Sequence, residues 1–181
     1  MKVTVSVEGI DGDPSGESIR AVSAAVESVF FASVLEEVCP SLKTFESADV
    51  SVAFVSSDSM KSLNLEYREL DEPTDVLSFP LWEEEGAFVP SWSGPDIPLG
   101  DVVICEQIVR NAAEEQGIPF FEAMCLIFSH GVLHLVGFDH STEDETRTMF
   151  ALQDRMRDGL IACSRDISGN SEECPDETGK Q

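Results

Sequence analysis

The chain has 181 residues, 42% of them apolar, so its length and composition fit one globular domain, or one domain followed by a tail. Eleven Lys and Arg oppose 35 Asp and Glu, and the resulting net charge of −24 repels polyanions at long range. Taken alone, this charge disfavours nucleic-acid binding, which normally leaves a basic surface, and it suits a basic protein partner.

We expect neither a membrane span nor a secretory leader in this sequence. No run of 18 apolar residues occurs, and the first 13 residues alternate without the apolar block of a signal peptide. The five cysteines are odd in number, scattered and without a C-x-x-C pair, which disfavours a disulfide framework. These features predict a cytoplasmic protein that does not contact a membrane.

The N-terminal part of the chain alternates between strand and helix patterns. Alternating valines predict a half-buried strand over residues 2–8. After a turn at 11–16, apolar residues at helical spacing predict one helix that begins near Ile19 and stops at Pro40. A second alternating stretch predicts a strand at 49–55.

The middle of the chain contains a short helix, two strands and a long loop. Ser57 is predicted to cap a helix that runs through Tyr67, and a strand over 74–80 follows it. Residues 82–98 lack periodicity, which predicts a long exposed loop. The next strand is expected at 100–106.

The C-terminal part is mainly helical. The segment 119–136 is apolar almost all round, which indicates a central buried helix. Thr142 and Glu145 form a capping box for the last helix. Because strands and helices mix without strict βαβ alternation, we predict an α+β fold. It would form a single domain over 1–162, followed by an acidic, disordered tail at 163–181.

All three histidines lie in one stretch, SHGVLHLVGFDH, at residues 129–140. His130 and His134 are four residues apart on the buried helix, so they lie ~40° apart around its axis, on one face. Gly137 can end the helix in a left-handed conformation, so that the chain doubles back and brings His140 to the same point. Three imidazoles without a fourth protein ligand indicate a catalytic site for one zinc ion, with one position open to water.

The spacing H-x-x-x-H-x-x-G-x-x-H also occurs in metzincin proteases, where a Glu after the first His acts as general base. Gly131 occupies that position here and cannot accept a proton. Zinc can make hydroxide available without a carboxylate base, because it lowers the pKa of bound water to about 7. Phosphodiester cleavage fits this arrangement, since its main requirement is to neutralise charge on the phosphoryl oxygens.

Arg68 is the candidate for a second cation beside such a metal. It lies at the end of a helix, just before a turn and a strand, where its planar guanidinium would clamp a phosphate. Spacing alone favours instead a surface ion pair with a nearby acidic residue. Asp139 precedes His140 and is a candidate supporting carboxylate, or a cap for the turn. The acidic neighbours of Arg68 are Glu66, Glu69, Asp71, Glu72 and Asp75.

Three blocks of the sequence, LNLEYRELDEPTDVLSFP, LGDVVICEQIV and HGVLHLVGFDH, resemble the YbeY family of bacterial endoribonucleases, which take part in ribosomal RNA maturation. The resemblance spans about residues 45–160, with the blocks in the family's order. Phe138 stands where the family motif has Tyr, so a hydroxyl is missing there. The resemblance implies a small α+β fold with a mixed four-stranded sheet and the histidine helix beneath it.

The same resemblance assigns roles to residues. It implies that His130, His134 and His140 hold one zinc ion, and that Arg68 is the catalytic arginine in the groove facing the metal. Asp101, in LGD, matches another recurring family position, and capping of a strand end is as compatible with it as a supporting role in catalysis.

The activity implied by the resemblance is that of a zinc-dependent, single-strand-specific endoribonuclease. It would act in maturation of the 16S ribosomal RNA 3′ end and in ribosome quality control, and either water or the ribose 2′-OH can be the nucleophile. The implied partners are a ribosomal RNA precursor, the small ribosomal subunit with a basic ribosomal protein, and an Era-type GTPase. Because few cations lie in the matched region, we expect weak binding of free RNA and specificity supplied by the basic partner.

Two other functions fit part of the pattern. The first is a zinc peptidase with metzincin-like spacing, and Gly131 counts against it. The second is a non-enzymatic ribosome-assembly factor with a structural zinc ion. A site open to water counts against this second function, because structural zinc is normally closed by four protein ligands.

Overall fold

The structure, a computed structural model, describes residues 1–169. It confirms the α+β class and the mixed four-stranded sheet. No single helix in these residues is long and apolar enough to cross a membrane, and such a length arises only if Gly16–Val26 and Val29–Val38 are joined across their 62° bend. The elements are β1 (Lys2–Gly9), α1 (Gly16–Glu27), α2 (Val29–Val38), a 3-10 helix (Pro40–Thr44), β2 (Ser47–Phe54), α3 (Ser57–Arg68), β3 (Val76–Pro80), β4 (Glu83–Glu84), β5 (Ala87–Phe88), β6 (Asp96–Ile104), α4 (Glu106–Gln116), α5 (Phe120–Leu135) and α6 (Glu143–Gly169).

The main sheet has the strand order β1-β2-β6-β3, in which β1, β2 and β6 are parallel and the edge strand β3 runs antiparallel to β6. In the β6–β3 ladder Val102 lies opposite Ser78, and Asp101 lies opposite Phe79. Because successive side chains of a strand point to opposite faces, Val102 and Asp101 belong to different faces of the sheet.

One face of the sheet carries the main hydrophobic core. Its inward residues pack with helices α1, α2, α4, α5 and α6, and the alternation that predicted β1 and β2 reflects this one-sided burial. At one end of the opposite face, Met60 of α3 packs with Leu77 and Val103 in a smaller cluster. The rest of that face carries polar residues, with Thr4, Ser6 and Asp101 exposed. The inward residues are Val3, Val50, Val52, Phe54, Val76, Val102 and Ile104.

Helix α5 is the central buried helix, as the sequence predicted, and it lies close against the sheet. A Cβ atom built on Gly131 would lie 2.7 Å from Val102 Cγ1, which is closer than real Cβ contacts. Ser78 Oγ on β3 donates a hydrogen bond to the Gly131 carbonyl at 3.0 Å. The missing side chain at position 131 therefore lets the helix approach the sheet and the edge strand.

The continuous helix predicted from Ile19 to Pro40 is wrong, because the chain breaks at Ser28. Ser28 has an extended ψ of 97°, and its hydroxyl accepts a hydrogen bond from Phe31 N at 3.0 Å, which starts α2. Apolar periodicity continues across this break, so it could not mark the boundary. Val29 is 84% exposed, although it is one of the apolar residues at helical spacing that predicted the single helix.

Several boundaries also differ from the prediction. Ser56, rather than Ser57, caps α3 by accepting a hydrogen bond from Ser59 N. The long loop predicted at 82–98 contains the β4–β5 hairpin, and the strand expected from residue 100 begins at Asp96. Because residues 82–98 show no alternation of apolar and polar residues, neither the hairpin nor the earlier start of β6 could be predicted.

The C-terminal helix begins as predicted. The capping box is confirmed, since Glu145 Oε2 accepts a hydrogen bond from Thr142 N and Thr142 Oγ1 accepts one from Glu145 N. The helix extends through Gly169, so the predicted boundary between domain and tail at 162/163 falls inside α6. Residues 170–181 of the predicted tail lie outside the described residues.

Candidate metal centre

The end of α5 brings the third histidine back to the helix. Phe138 N donates a hydrogen bond to the Leu133 carbonyl at 3.1 Å, and Gly137 has a φ of 86°, in the left-handed region. A Cβ atom on Gly137 would lie 2.9 Å from Phe88 N, so the β4–β5 hairpin packs directly on this turn. Glycine at 137 therefore satisfies both the backbone conformation and the close approach of the hairpin.

The three histidines form one cluster. One ring nitrogen from each of His130, His134 and His140 lies within 4.8 Å of the others, and the Nε2 atoms of His130 and His134 are 3.1 Å apart. His130 and His134 are half-buried, whereas His140 is exposed. A tetrahedral zinc ion with Zn–N bonds near ~2.1 Å holds its nitrogens ~3.4 Å apart, so small ring movements suffice for all three to bind one ion.

The two half-buried histidines, His130 and His134, are neutral donors. Burial, followed by the neighbouring imidazoles of His130 and His140, lowers the pKa of His134 to about 4. Burial also lowers the pKa of His130, against the opposing effect of its hydrogen bond to Gln153. Both rings are therefore uncharged at neutral pH, with one ring nitrogen free of a proton, which is the state in which imidazole binds a metal ion. The residues present fit a divalent cation that prefers nitrogen.

Helix α6 contacts this cluster through residues that sequence reasoning missed. His130 Nδ1 and Gln153 Oε1 are 2.7 Å apart. Thr146 Oγ1 donates a hydrogen bond to the His140 carbonyl at 3.0 Å. Spacing along the chain gave no signal for Gln153, because its contact depends on how α6 packs against α5.

Asp139 lies in the turn that presents His140. Its Oδ1 atom accepts a hydrogen bond from His140 N at 2.8 Å, and its Oδ2 atom accepts one from Ser141 Oγ. The Ser141 hydrogen bond, followed by that of the His140 backbone, lowers the pKa of Asp139. The carboxylate therefore remains charged, holds the turn in shape and also lines the pocket beside His134.

Arg68 lines the same pocket, which has a volume of about 230 Å³. It ends α3, and Glu69 follows in the left-handed region with a φ of 61°. Within residues 1–169 Arg68 takes part in no ion pair, whereas Lys61 binds Asp71 at 3.2 Å. The surface ion pair that spacing favoured for Arg68 is thus not found in this region. Other side chains that line the pocket are Ser78, Pro80, Glu83, His134, Phe138 and Asp139.

A buried asparagine shapes the turn after Arg68. Asn64 Nδ2 donates a hydrogen bond to the Glu72 carbonyl at 2.8 Å, and the Asn64 carbonyl accepts one from Leu70 N at 3.3 Å. These bonds tie the loop back onto α3.

Asp101 lies away from the histidines. Its neighbour Val102 faces Gly131 on α5, so Asp101 points to the opposite, open face of the sheet. There it lines a groove of about 380 Å³ together with Ser6 and Ser51. The structure therefore brings Arg68 and Asp139 into one pocket with His134, which clusters with His130 and His140, and it leaves Asp101 outside this pocket.

The fold and the cluster define a class: small α+β proteins in which a buried helix and the turn after it supply three imidazoles to one point. The chain belongs to the YbeY family, because the family model described as Endoribonuclease YbeY matches residues 17–160. The match begins well before residue 45, so it also covers the helices α1 and α2 that the expected resemblance left out.

Individual relatives agree with this assignment. A protein described as Endoribonuclease YbeY from Bacillus pumilus is 39% identical over 127 residues, covering 69% of this chain and 80% of the relative. A protein of the same description from Kineococcus radiotolerans is 33% identical over 158 residues, covering 87% of this chain and 88% of the relative. The solution structure of TM1509 from Thermotoga maritima is 28% identical and superposes with a TM-score of 0.55, covering 98% of this chain and 100% of that one.

Proposed function

We propose that this protein is a zinc-dependent endoribonuclease that cleaves single-stranded ribosomal RNA precursors, with one zinc ion held by His130, His134 and His140. The observation that carries the proposal is the position of Arg68. Its guanidinium has no carboxylate partner among the described residues, and it shares a pocket with His134. A guanidinium near neutral metal-binding imidazoles suits a substrate with negative charge on more than one oxygen. Membership in a family described as endoribonucleases supports the same chemistry.

The bound metal and the pocket residues would have different roles in phosphodiester cleavage. A bound zinc ion would supply Lewis-acid polarisation of the phosphodiester and a source of hydroxide at neutral pH. Arg68 would bind a phosphate oxygen through its planar fork and stabilise the charge that builds up in the transition state. The attacking oxygen comes from water or from the ribose 2′-OH; its new bond to phosphorus replaces the bond to the leaving ribose oxygen, which takes up a proton. Glu83 and Asp139 line the pocket as carboxylates able to take the proton of the attacking oxygen.

The pocket has little positive charge for holding a long RNA. Arg68 is the one Lys or Arg among its lining residues, while Glu83 and Asp139 are acidic. We therefore propose that free RNA binds weakly and that a basic protein of the small ribosomal subunit positions the substrate. The net charge of −24 and the open sheet face with Asp49 and Asp101 suit such a partner.

The proposed partner on the small ribosomal subunit leads to the cellular role that we propose. The enzyme would act in the cytoplasm on the 3′ end of 16S ribosomal RNA, both in maturation and in ribosome quality control. An Era-type GTPase that works on the same subunit would be a further partner.

Two features weigh against the two other functions, a zinc peptidase and a non-enzymatic ribosome-assembly factor with a structural zinc ion. Gly131 faces Val102 in the sheet, so a glutamate at that position would collide with the sheet before it could serve a peptidase as base. A structural zinc ion would need a fourth protein ligand, and within residues 1–169 no further His, Cys, Asp or Glu joins the cluster.

Metal analysis combined with an RNA cleavage assay tests the proposal. Purified protein should contain about one zinc ion per chain, and a chelator should remove both the metal and the cleavage of a single-stranded RNA. His130→Ala should lose both properties, whereas Gln107→Ala, at an exposed position on α4, should keep both. Cleavage by protein that has been verified as metal-free would overturn the proposal, and a parallel casein assay would reveal peptidase activity.

A further inference from the structure

The contact between Gln153 and His130 joins α6 to the candidate metal centre. Gln153 is half-buried on α6, between core residues Met149 and Met156, which are both fully buried. Its Oε1 atom lies 2.7 Å from His130 Nδ1, a normal hydrogen-bond distance. Because α6 packs on α5 through the hydrophobic core, the Gln153 side chain is held beside the imidazole.

This hydrogen bond determines which nitrogen of His130 carries the proton. The carboxamide oxygen can only accept, so His130 Nδ1 must donate and Nε2 must carry a lone pair. Nε2 is also the atom that lies 3.1 Å from His134 Nε2, inside the cluster. In water, without this partner, the proton would be free to move between the two ring nitrogens, and protonation at Nε2 would block the lone pair that a metal needs.

The same helix supports a second histidine. Thr146, two turns before Gln153 on α6, donates a hydrogen bond to the His140 carbonyl. Helix α6 therefore contacts both His130 and His140 without supplying a ligand of its own. An outer partner of this kind typically changes metal affinity or activity by about 10- to 100-fold.

We propose that Gln153 is a positioning residue of the metal centre: its carboxamide oxygen fixes His130 in the Nδ1-protonated tautomer, with Nε2 directed to the ion. The proposal rests on the proposed function, because it assigns His130 as a metal ligand. It predicts that the acceptor at position 153 matters, and not merely the volume of the side chain. Glutamate, which keeps the acceptor, should therefore substitute for glutamine, whereas methionine, of similar length, should not.

The first experiment measures zinc affinity at pH 7.5 by competition with a chromophoric chelator. Gln153→Met should weaken zinc binding by about 10- to 100-fold, and Gln153→Glu should bind at least as tightly as the parent protein. Gln107→Met on α4 makes the same exchange at an exposed site and should leave the affinity unchanged. Equal affinity of the parent protein and Gln153→Met would overturn the proposal.

The second experiment separates this proposal from the proposed function, since it needs no metal. Imidazole ¹⁵N shifts of the metal-free protein report the tautomer of each of the three histidines directly. His130 should be protonated at Nδ1 in the parent protein and in Gln153→Glu, and should shift toward Nε2 protonation in Gln153→Met. An unchanged tautomer in Gln153→Met would refute the positioning role, whereas a parent protein with the expected tautomer but no zinc affinity would refute the proposed function instead.

Discussion

The two sides of the pocket are built in different ways. The histidine side, consisting of His130, His134 and His140, comes from eleven consecutive residues at the end of a buried helix. The arginine side, consisting of Arg68, Ser78 and Glu83, comes from the end of α3, the edge strand β3 and the β4–β5 hairpin. One side is therefore encoded locally in the sequence, and the other exists only after the chain has folded.

This difference implies a division of roles that mutation can test. The histidine side presents three imidazoles, two of which are half-buried, and Gln153 Oε1 lies 2.7 Å from His130 Nδ1. The arginine side holds a guanidinium and a carboxylate at the surface. Changes on the histidine side should remove metal and activity together, whereas changes on the arginine side should remove activity alone.

The largest effect is expected for His140→Ala. This residue is exposed and lies in a turn, so its loss should hardly change the thermal stability of the metal-free protein. Two imidazoles hold zinc weakly, so affinity should fall by more than the ~100-fold that the loss of an outer partner causes, and RNA cleavage should fall to background. Retention of one zinc ion per chain would show that His140 is not a ligand and that the cluster is closed by another group.

The next effect is expected for Arg68→Ala. Loss of one preorganised donor to a developing negative charge typically costs ~10²- to 10³-fold in kcat, and we expect a loss of that size with zinc content unchanged. Arg68→Lys should recover only part of it, because an ammonium group lacks the planar fork. Arg147→Ala, at an exposed arginine on α6, is the matched control. Full cleavage after Arg68→Ala would remove the arginine side from the mechanism.

The histidine side of the pocket could be predicted from the sequence, whereas the arginine side could not. The histidines were predictable because two ligands one helical turn apart and a glycine-ended turn fix their own geometry. Arg68 was not predictable from spacing, which favoured an ion pair. In the structure Lys61 binds Asp71, whereas Arg68, at the end of α3, lines the pocket. Contacts between distant elements, such as that of Gln153, leave no local pattern.

The fold shows the same limit. Strands β1 and β2 were predictable because a one-sided core imposes an alternation of period two, and the capping box of α6 is a local hydrogen-bond pattern. The break at Ser28 was not predictable from apolar spacing, because the apolar residues keep their helical period on both sides of it. The β4–β5 hairpin was hidden because two-residue strands carry no alternation at all.

A smaller effect, on stability, is expected for Gly131→Ala. The added Cβ would lie 2.7 Å from Val102 Cγ1, and such overpacking typically costs ~1–3 kcal/mol, partly offset by the ~1 kcal/mol gain in helix propensity. Urea unfolding of the metal-free protein measures the net change. The double variant with Val102→Ala should regain stability relative to the sum of the single changes. If the changes in the free energy of unfolding of the two single variants simply add, α5 must be able to move away from the sheet without loss of stability.

The smallest effect is expected for Asp101→Asn, which tests whether the faces of the sheet separate functional residues as sharply as the geometry indicates. Asp101 and Val102 are adjacent, but Val102 packs beneath the histidine helix and Asp101 lies on the open face. Loss of its charge should leave zinc content unchanged, cleavage of a short RNA within about twofold, and stability within ~0.5 kcal/mol, as for most surface changes. A tenfold loss of cleavage would require Asp101 to act on the pocket through β3, since Phe79 lies opposite it and Ser78 lines the pocket. In that case the edge strand β3 would take part in catalysis, and the arginine side of the site would include residues from both faces of the sheet.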